Sequence, residues 1–393
     1  MRNRTVLTAT LALSLLSPTL AEPGLLRGET RQETLEKPQS VVGFARSWGL
    51  AAEQIAWANG LSPEAETGKK VALPARILPS NPPKDGAVVN LAERGVYLFR
   101  GGDYQGFFPL AIGRGDNLKN RTPTGTYKMV DRVKDPTWVA PDSPWAKAMD
   151  KEKIKGGSKD NPLGGYWFGF DHPKGGYGFH ENTAPLTTGD KASHGCMRLY
   201  PEHAKRIYDE KLLQPGDTVR IEDRPVLLGK NGDGELFVAV FPSAYGQRDL
   251  EAVLSKELEK EHMSGLISPE RTATLVAKPS GVPVSLLGKP VALKVGGKEA
   301  AVDTPGFRRD GRVMVPVAVA REAGCQVAYD AKAGLITVGK DGKSQSFRLG
   351  DEGEQPRAYR WGDQTMVSAR DLFGELDIPV SWDGKARELE IGG

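Results

Sequence analysis

Residues 86–222 consist of short, alternating apolar segments that end at turns, and no other feature limits the possible folds of the chain as strongly. Segments 87–91 and 95–99 form one such pair, which is the pattern of a β-hairpin. A helical pattern, 201–213, begins with a proline, which costs no hydrogen bond there. Similar apolar segments recur at 107–112, 127–133, 166–170 and 217–221. We therefore predict a mainly β domain whose chemistry lies in its loops.

The composition narrows the possible classes of protein. The 393 residues suggest two to four domains, and 47 glycines and 28 prolines are typical of many turns. Two cysteines cannot build a disulfide framework, so the domains depend on apolar cores. The net charge of +3 is too small an excess of basic residues to indicate nucleic-acid binding, so no nucleic-acid partner is expected.

The first residues have the pattern of a secretory signal. Arg2 and Arg4 precede the apolar core 6–16, and small residues stand at positions 19 and 21, where a signal peptidase reads the chain. A membrane span needs about 20 apolar residues, so this core is too short for one. We predict a signal peptide at 1–21, export to the periplasm or cell wall, and no integral membrane segment after cleavage.

The segment KASHGCMRLY, 191–200, carries the clearest chemistry. A cysteine attacks as its thiolate, so Cys196 needs a base or a positive charge nearby. His180 ends a predicted strand sixteen residues earlier, and His194 lies two residues before the cysteine. Gly195 permits an unusual backbone, and the N–H groups around it suit an oxyanion hole. Arg198 lies on the same side of an extended segment as Cys196 and can bind a carboxylate with its planar fork.

Two other interpretations of these residues remain open at this point. His180, His194 and Cys196 are possible zinc ligands, although a structural zinc site usually has four ligands and no cysteine pair is present. Cys196 is alternatively a buried core residue, which its glycine and polar neighbours disfavour. We expect neither a metal nor a cofactor.

Three motifs together resemble the L,D-transpeptidase family with its YkuD catalytic domain: TPTGTY at 122–127, GFH at 178–180 and SHGCMR at 193–198, followed by a helix. The resemblance covers about 86–222 and implies a β-sandwich-like catalytic domain. In this family a cysteine attacks a peptidoglycan stem peptide at the bond before D-Ala and expels D-Ala. An amine of a second stem then takes the acyl group.

The resemblance implies a role for each matching residue. Cys196 is the nucleophile and His180 the base, while His194 and Gly195, with Cys196, frame the oxyanion hole. The resemblance also implies substrate-binding roles for Arg198 and for Ser193, which supports the loop. One position departs from the family pattern, because Glu181 stands where a glycine usually follows the first histidine. A carboxylate there would either raise the basicity of the histidine or crowd the entry.

Other modules flank the catalytic region. Residues 30–79 resemble the LysM domain, a small α/β unit that binds glycans containing N-acetylglucosamine. The resemblance rests on the segments WGL, ANGL and GKKVALP, whereas KPQS at 37–40 replaces the usual start. Residues 223–285 are predicted as a β extension, a helix and a linker.

The tail, 286–393, contains a repeat. The sequence RVMVPV at 312 returns as QTMVSA at 364, and YDAKA at 329 returns as WDGKA at 382, a spacing of 52 to 53 residues. We predict a two-repeat α+β domain. It resembles the domain named after the N-terminal part of copper amine oxidases, and that name implies no metal site here.

The sequence therefore predicts an exported L,D-transpeptidase whose partners are peptidoglycan stem peptides and glycan strands. Two alternatives stay open. An L,D-carboxypeptidase would use water as the acceptor, and a catalytically inactive protein would only bind the cell wall. The sequence makes no prediction of an oligomeric state.

Overall fold

The computed structural model describes residues 24–392, apart from positions 247, 262, 264–266, 268, 310, 331, 350–356 and 362. The predicted signal peptide, 1–21, lies outside the described residues. The chain is mainly β, with 38% strand and 18% helix, as predicted. No helix in the described ranges is long and apolar enough to cross a bilayer.

Eight strands form a closed ring within 86–222, a part of the chain that is described throughout. The predicted hairpin is confirmed, because Gly86–Asn90 pairs antiparallel with Gly95–Arg100. The long strand Asp103–Gly113 closes the ring, since it pairs with Gly95–Arg100 near its start and with Met197–Leu199 near its end. In spatial order the strands are Asp103–Gly113, Met197–Leu199, Gly178–Glu181, Tyr166–Phe170, Gly125–Lys134, Thr218–Glu222, Gly86–Asn90 and Gly95–Arg100, and Lys191–Ser193 adds a ninth beside Asp103–Gly113.

The ring is held together by alternating side chains. Ala87 and Val89 point into its main core, while Val88 between them packs with Tyr97 in a second cluster on the other face. The helix Pro201–Asp209 lies against the main core through Ala204 and Ile207. It ends four residues earlier than predicted, because Lys211 has a left-handed φ of 56° that a helix cannot continue through.

Residues 31–73 fold as a small unit. The strands Arg31–Thr34 and Lys70–Leu73 pair antiparallel, and the helices Val41–Ser47 and Ala52–Asn59 pack on them. The two helices and the sheet share one buried cluster, which includes Val41, Phe44, Ile55 and Val71.

The small unit is docked on the barrel. The side chain of Gln54 is buried and donates to the carbonyl of Glu93 at 2.8 Å. The hydroxyl of Tyr200 donates to the carbonyl of Leu50 at 3.1 Å. Burial and the neighbouring Asp190 raise the pKa of Glu53 to about 8, so this interface carboxyl is held in its neutral form near pH 7.

A second sheet joins the chain's beginning to the extension after the barrel. Gly24–Arg27 pairs in parallel with Val226–Lys230, which pairs antiparallel with Leu236–Val240. Arg76–Ile77 and Val284–Ser285 form the two edges. The helices of the extension are Leu250–Lys260 and Pro269–Ala277, and the second lies in the segment predicted as a linker.

The described residues of the tail form two sheets and two short helices, Val319–Glu322 and Ala369–Gly374. The smaller sheet has the order Lys298–Glu299, Ala292–Val295, Glu388–Ile391 and Val380–Asp383. The larger sheet has the order Phe307–Arg309, Arg312–Pro316, Gln364–Ser368, Arg357–Trp361, Lys343–Leu349, Leu335–Lys340 and Gln326–Asp330.

The two repeats of the tail meet at equivalent strands. Arg312–Pro316 pairs antiparallel with Gln364–Ser368, and Val315 lies opposite Val367. These valines are equivalent positions of the repeat, 52 residues apart. An approximate twofold axis therefore passes between them.

Candidate active site

Strand register brings the predicted site residues to one face of the barrel. The strands Gly178–Glu181 and Met197–Leu199 are parallel, with His180 opposite Arg198 and Phe179 opposite Met197. Phe179 and Met197 are fully buried in the core. Because side chains alternate along a strand, His180 and Arg198 point to the other face, and Cys196 points there as well.

The ring of His180 is held by the main chain beside it. Its Nδ1–H donates to the carbonyl of Glu181 at 2.9 Å, which leaves Nε2 as the basic nitrogen. Burial and the charge of Arg198 lower the pKa of His180 to about 3, although the carbonyls of Glu181 and Leu163 oppose this fall. The imidazole is therefore neutral across the usual working range of pH.

Cys196 is half-buried, and its thiol is protonated near neutral pH. Burial raises the pKa of Cys196 to about 11, against the opposing effects of the Gly178 N–H and the Arg198 charge. In this structure Sγ donates to the carbonyl of Gly176 at 3.3 Å. Cys196 thus carries a neutral thiol and His180 a neutral imidazole, and the charge of Arg198 acts on both groups.

The loop before Cys196 has a backbone that requires glycine. Gly195 has a φ of 123°, and a Cβ there would lie 2.8 Å from the ring of Tyr177. Its N–H donates to Oγ of Ser193 at 3.1 Å, and this hydroxyl donates to the carbonyl of Cys196 at 2.5 Å. Ser193, predicted to bind substrate, is 1% exposed and uses its hydroxyl inside the loop. The Cys196 N–H is left as the candidate oxyanion donor of this loop.

Thr122, the first residue of the TPTGTY segment, holds the loop before Cys196 in place through hydrogen bonds. Its Oγ1 donates to the carbonyl of Gly195 at 2.9 Å and accepts the N–H of Gly113 at 3.0 Å. Two of the three motifs, TPTGTY and SHGCMR, therefore meet through one buried hydroxyl.

His194 lies between a cation and an aromatic ring. Nη2 of Arg114 is 2.6 Å from Nε2 of His194, and a guanidinium can only donate, so this nitrogen accepts. The ring of Trp145 stacks on the imidazole at 4.5 Å between centroids with 13° between planes. Burial and then the charge of Arg114 lower the pKa of His194. A guanidinium at this nitrogen disfavours a metal ion, and no group of metal-ligating residues occurs within the described ranges.

Residues 134–165 reach the site through Trp145, whose ring stacks on His194, and we call this segment the lid. It contains the strands Trp138–Val139 and Lys153–Ile154 and the short helix Pro144–Lys147. Its own apolar cluster includes Trp138 and Ile154. Because polar residues surround these few apolar side chains, the sequence of the lid shows no apolar periodicity that would predict the cluster.

Trp167 lies next to His180 on the adjacent strand. It lies opposite His180 in the antiparallel register, with 6.3 Å between ring centroids. Its Nε1–H donates to Oδ1 of Asp131 at 2.9 Å. A Cβ on Gly178 would lie 2.9 Å from the indole, so glycine makes room for the ring. The predicted site residues do not include Trp145, Trp167, Arg114 and Asp131. The two tryptophans are the sequence feature that could have indicated this part of the site.

Glu181 connects the lid to the strand that carries the histidine. Its Oε2 accepts the N–H of Gly165 at 2.9 Å, and a Cβ on Gly164 would lie 2.6 Å from its side chain. The carboxylate is therefore engaged with the end of the lid, and the histidine contacts only the main-chain carbonyl of this residue.

Replacing Glu181 with glycine should loosen the end of the lid and leave the chemistry of His180 in place. A hydrogen bond to a charged group contributes about 1.5–3 kcal/mol, so we expect amide exchange at 163–165 to rise about tenfold or more. Hydrogen exchange read by mass spectrometry measures this. Glu181→Gln, which keeps an acceptor oxygen, is the matched control. Equal exchange in Glu181→Gly and the native chain would contradict the anchoring role.

The sequence comparisons match the part of the chain that contains these residues. Residues 84–221 match the profile of YkuD, the L,D-transpeptidase catalytic domain. The chain is 27% identical over 229 residues to "Probable L,D-transpeptidase YcfS" of Escherichia coli, covering 55% of this chain and 69% of the relative. It is also 27% identical over 211 residues to "Probable L,D-transpeptidase ErfK/SrfK" of Salmonella typhimurium, covering 51% and 65%.

Among solved structures, the catalytic domain of an Enterococcus faecium L,D-transpeptidase aligns with 19% identity and a TM-score of 0.27, covering 36% of this chain and 99% of that one. The matches with the curated relatives span about two thirds of those proteins. The family predicted from the three motifs is confirmed by the profile and by the relatives. Residues 84–221 are therefore the part of the chain that matches the L,D-transpeptidase catalytic domain of the YkuD family.

Proposed function

We propose that this protein is an exported peptidoglycan L,D-transpeptidase that joins stem peptides through an acyl-enzyme on Cys196. One observation carries the proposal: within the matched YkuD domain, Arg198 lies opposite His180 on the adjacent strand and its charge acts on both His180 and Cys196. The neutral thiol and neutral imidazole suit general-base activation of a nucleophile.

In the first step, Sγ of Cys196 leaves the Gly176 carbonyl and attacks the carbonyl carbon of the bond before D-Ala. Nε2 of His180 takes the thiol proton as the C–S bond forms. The oxyanion accepts a hydrogen bond from the Cys196 N–H. The C–N bond then breaks, the proton passes from His180 to the amine of D-Ala, and a thioester remains.

In the second step, an amine of another stem attacks the thioester. His180 takes the proton that this amine loses, and the C–S bond breaks. The proton returns to sulfur, so the free thiol is restored and a new amide joins the two stems. Atoms and charge balance without a cofactor, because one amide is exchanged for another.

Arg198 is suited to hold an anionic group of the stem. Its Nε is buried and has no hydrogen-bond partner among the described residues. The planar guanidinium matches the two oxygens of a carboxylate. Its place beside His180 sets the reacting bond close to the base.

We propose that the flanking modules bring the enzyme to its polymer. The unit 31–73 has two helices and an antiparallel strand pair, which supports a LysM-like α/β domain, and it is docked on the barrel. A glycan strand bound there would be held at a fixed distance from Cys196. The tail is proposed as a wall-associated module.

The test is the product formed from purified disaccharide-tetrapeptide, read by mass. A dimer lacking one D-Ala is expected. A tripeptide monomer alone would replace the proposal with an L,D-carboxypeptidase. If no product forms while Cys196 is confirmed to be reduced, the protein is a binding module with an inactive catalytic fold.

A further inference from the structure

Tyr245 lies outside the matched catalytic domain, yet its side chain reaches the base of the catalytic loop. It belongs to the extension, and the match ends at residue 221. Its hydroxyl accepts the N–H of Thr122 at 3.0 Å. Thr122 is 3% exposed, so this N–H has little access to water.

The ring of Tyr245 also shapes the segment that precedes Thr122. A Cβ on Gly115 would lie 2.3 Å from the ring, so only glycine permits this approach. The guanidinium of Arg121 lies over the ring, 5.2 Å from its centroid. The segment 113–122 is thus packed around one aromatic side chain.

The same segment holds the loop that presents the nucleophile. Oγ1 of Thr122 donates to the carbonyl of Gly195 at 2.9 Å. The carbonyl of Arg121 is 3.2 Å from where a Cβ on Gly195 would stand. An unbroken series of contacts therefore runs from the Tyr245 hydroxyl through Thr122 to the residue before Cys196.

Tyr245 is itself fixed in place. Ala244, its neighbour, is fully buried in the main barrel core, and Tyr245 packs against that core. Nη2 of Arg248 contacts Oδ2 of Asp223 at 2.7 Å, which ties the segment to the end of the last barrel strand. A side chain held on both sides can set the position of a loop, whereas a mobile one cannot.

We propose that Tyr245 is a positioning residue of the transfer reaction: its hydroxyl sets Thr122, and through Thr122 it sets the main chain of Gly195 and Cys196. This inference rests on the proposed acyl transfer. Its consequence is that the extension after residue 222 is part of the catalytic unit. The oxyanion donor must lie within a few tenths of an ångström of its productive place, so a displaced loop slows the chemical step more than binding.

The test is Tyr245→Phe in the full chain, which removes one oxygen and keeps the ring. Release of D-Ala from disaccharide-tetrapeptide in a single turnover should slow about tenfold, since a buried N–H loses its acceptor. KM should stay within about twofold, as expected for a loss confined to the transition state. Tyr104→Phe, at the far end of the strand Asp103–Gly113, is the matched control and should match the native rate.

Hydrogen exchange separates this inference from the proposed function. The amides of 195–196 should exchange faster in Tyr245→Phe than in the native chain, and this readout needs no turnover. A native rate with native exchange at 195–196 would overturn the positioning role, and so would a lower melting temperature with an unchanged kcat. If the native chain releases no D-Ala, the proposed function fails, and the exchange experiment still decides the role of Tyr245.

Discussion

Replacing Cys196 with alanine should abolish both the release of D-Ala and the formation of the dimer. The proposed mechanism has no route without a sulfur that can form the thioester, and the loss should be at least about a thousandfold. The fold should survive, because the side chain is half-buried and its thiol makes one hydrogen bond, to the carbonyl of Gly176. Product masses and the melting temperature measure the two effects separately.

The other cysteine provides the matched control. Cys325 is 7% exposed in the core of the tail, far along the chain from the site. Cys325→Ala should keep native turnover and lose some stability, since it removes a buried group. Residual dimer formation by Cys196→Ala would eliminate the thioester mechanism, and a strong loss in Cys325→Ala would implicate the tail.

The rate of acylation should be nearly constant between about pH 5 and pH 9. The pKa of His180 is lowered to about 3, and that of Cys196 is raised to about 11. Neither group changes its charge in this window, so the reacting form, neutral thiol with neutral imidazole, is always present. Single-turnover release of D-Ala across the range measures this. A preformed thiolate and imidazolium pair would instead give a rate that falls as either group titrates inside the window.

Removing the base should change both the size and the shape of this profile. His180→Ala should slow acylation about a hundredfold or more near pH 7, because the thiol then has no general base. Only the thiolate can attack in this variant. Below the pKa of Cys196, the thiolate fraction rises about tenfold for each unit increase in pH. The rate should therefore rise with pH. A flat profile at the native rate would remove His180 from the mechanism.

The sequence predicted those parts of the site that depend on local pattern. Alternation along one extended segment predicts Arg198 on the same side as Cys196, and the observed register places His180 opposite Arg198. The sequence also predicts an unusual backbone at Gly195, because only glycine adopts the left-handed region freely, and the observed φ lies in that region. The sequence does not determine the effect of Glu181, because that effect depends on a hydrogen bond with Gly165 at the end of the lid.

Contacts between distant segments were beyond prediction. Nothing local in 24–27 indicates a parallel pairing with Val226–Lys230, some two hundred residues later. The apolar cluster of the lid depends on residues spread over a polar stretch, so no period of two or 3.6 appears. Tyr245 has no motif at all, and only the folded chain shows that its hydroxyl meets Thr122.

The twofold relation in the tail means that each half supplies the partner that the other requires. Val315 and Val367 pair across the axis, so the strand of each half covers the open edge of the strand in the other half. The tail is therefore two similar units that are joined in one chain and pair through equivalent strands. A half separated from its companion has an open strand edge, which a second copy of the same half can cover. Exchange of halves between two molecules would keep this same strand pairing, which is the geometry that domain swapping requires.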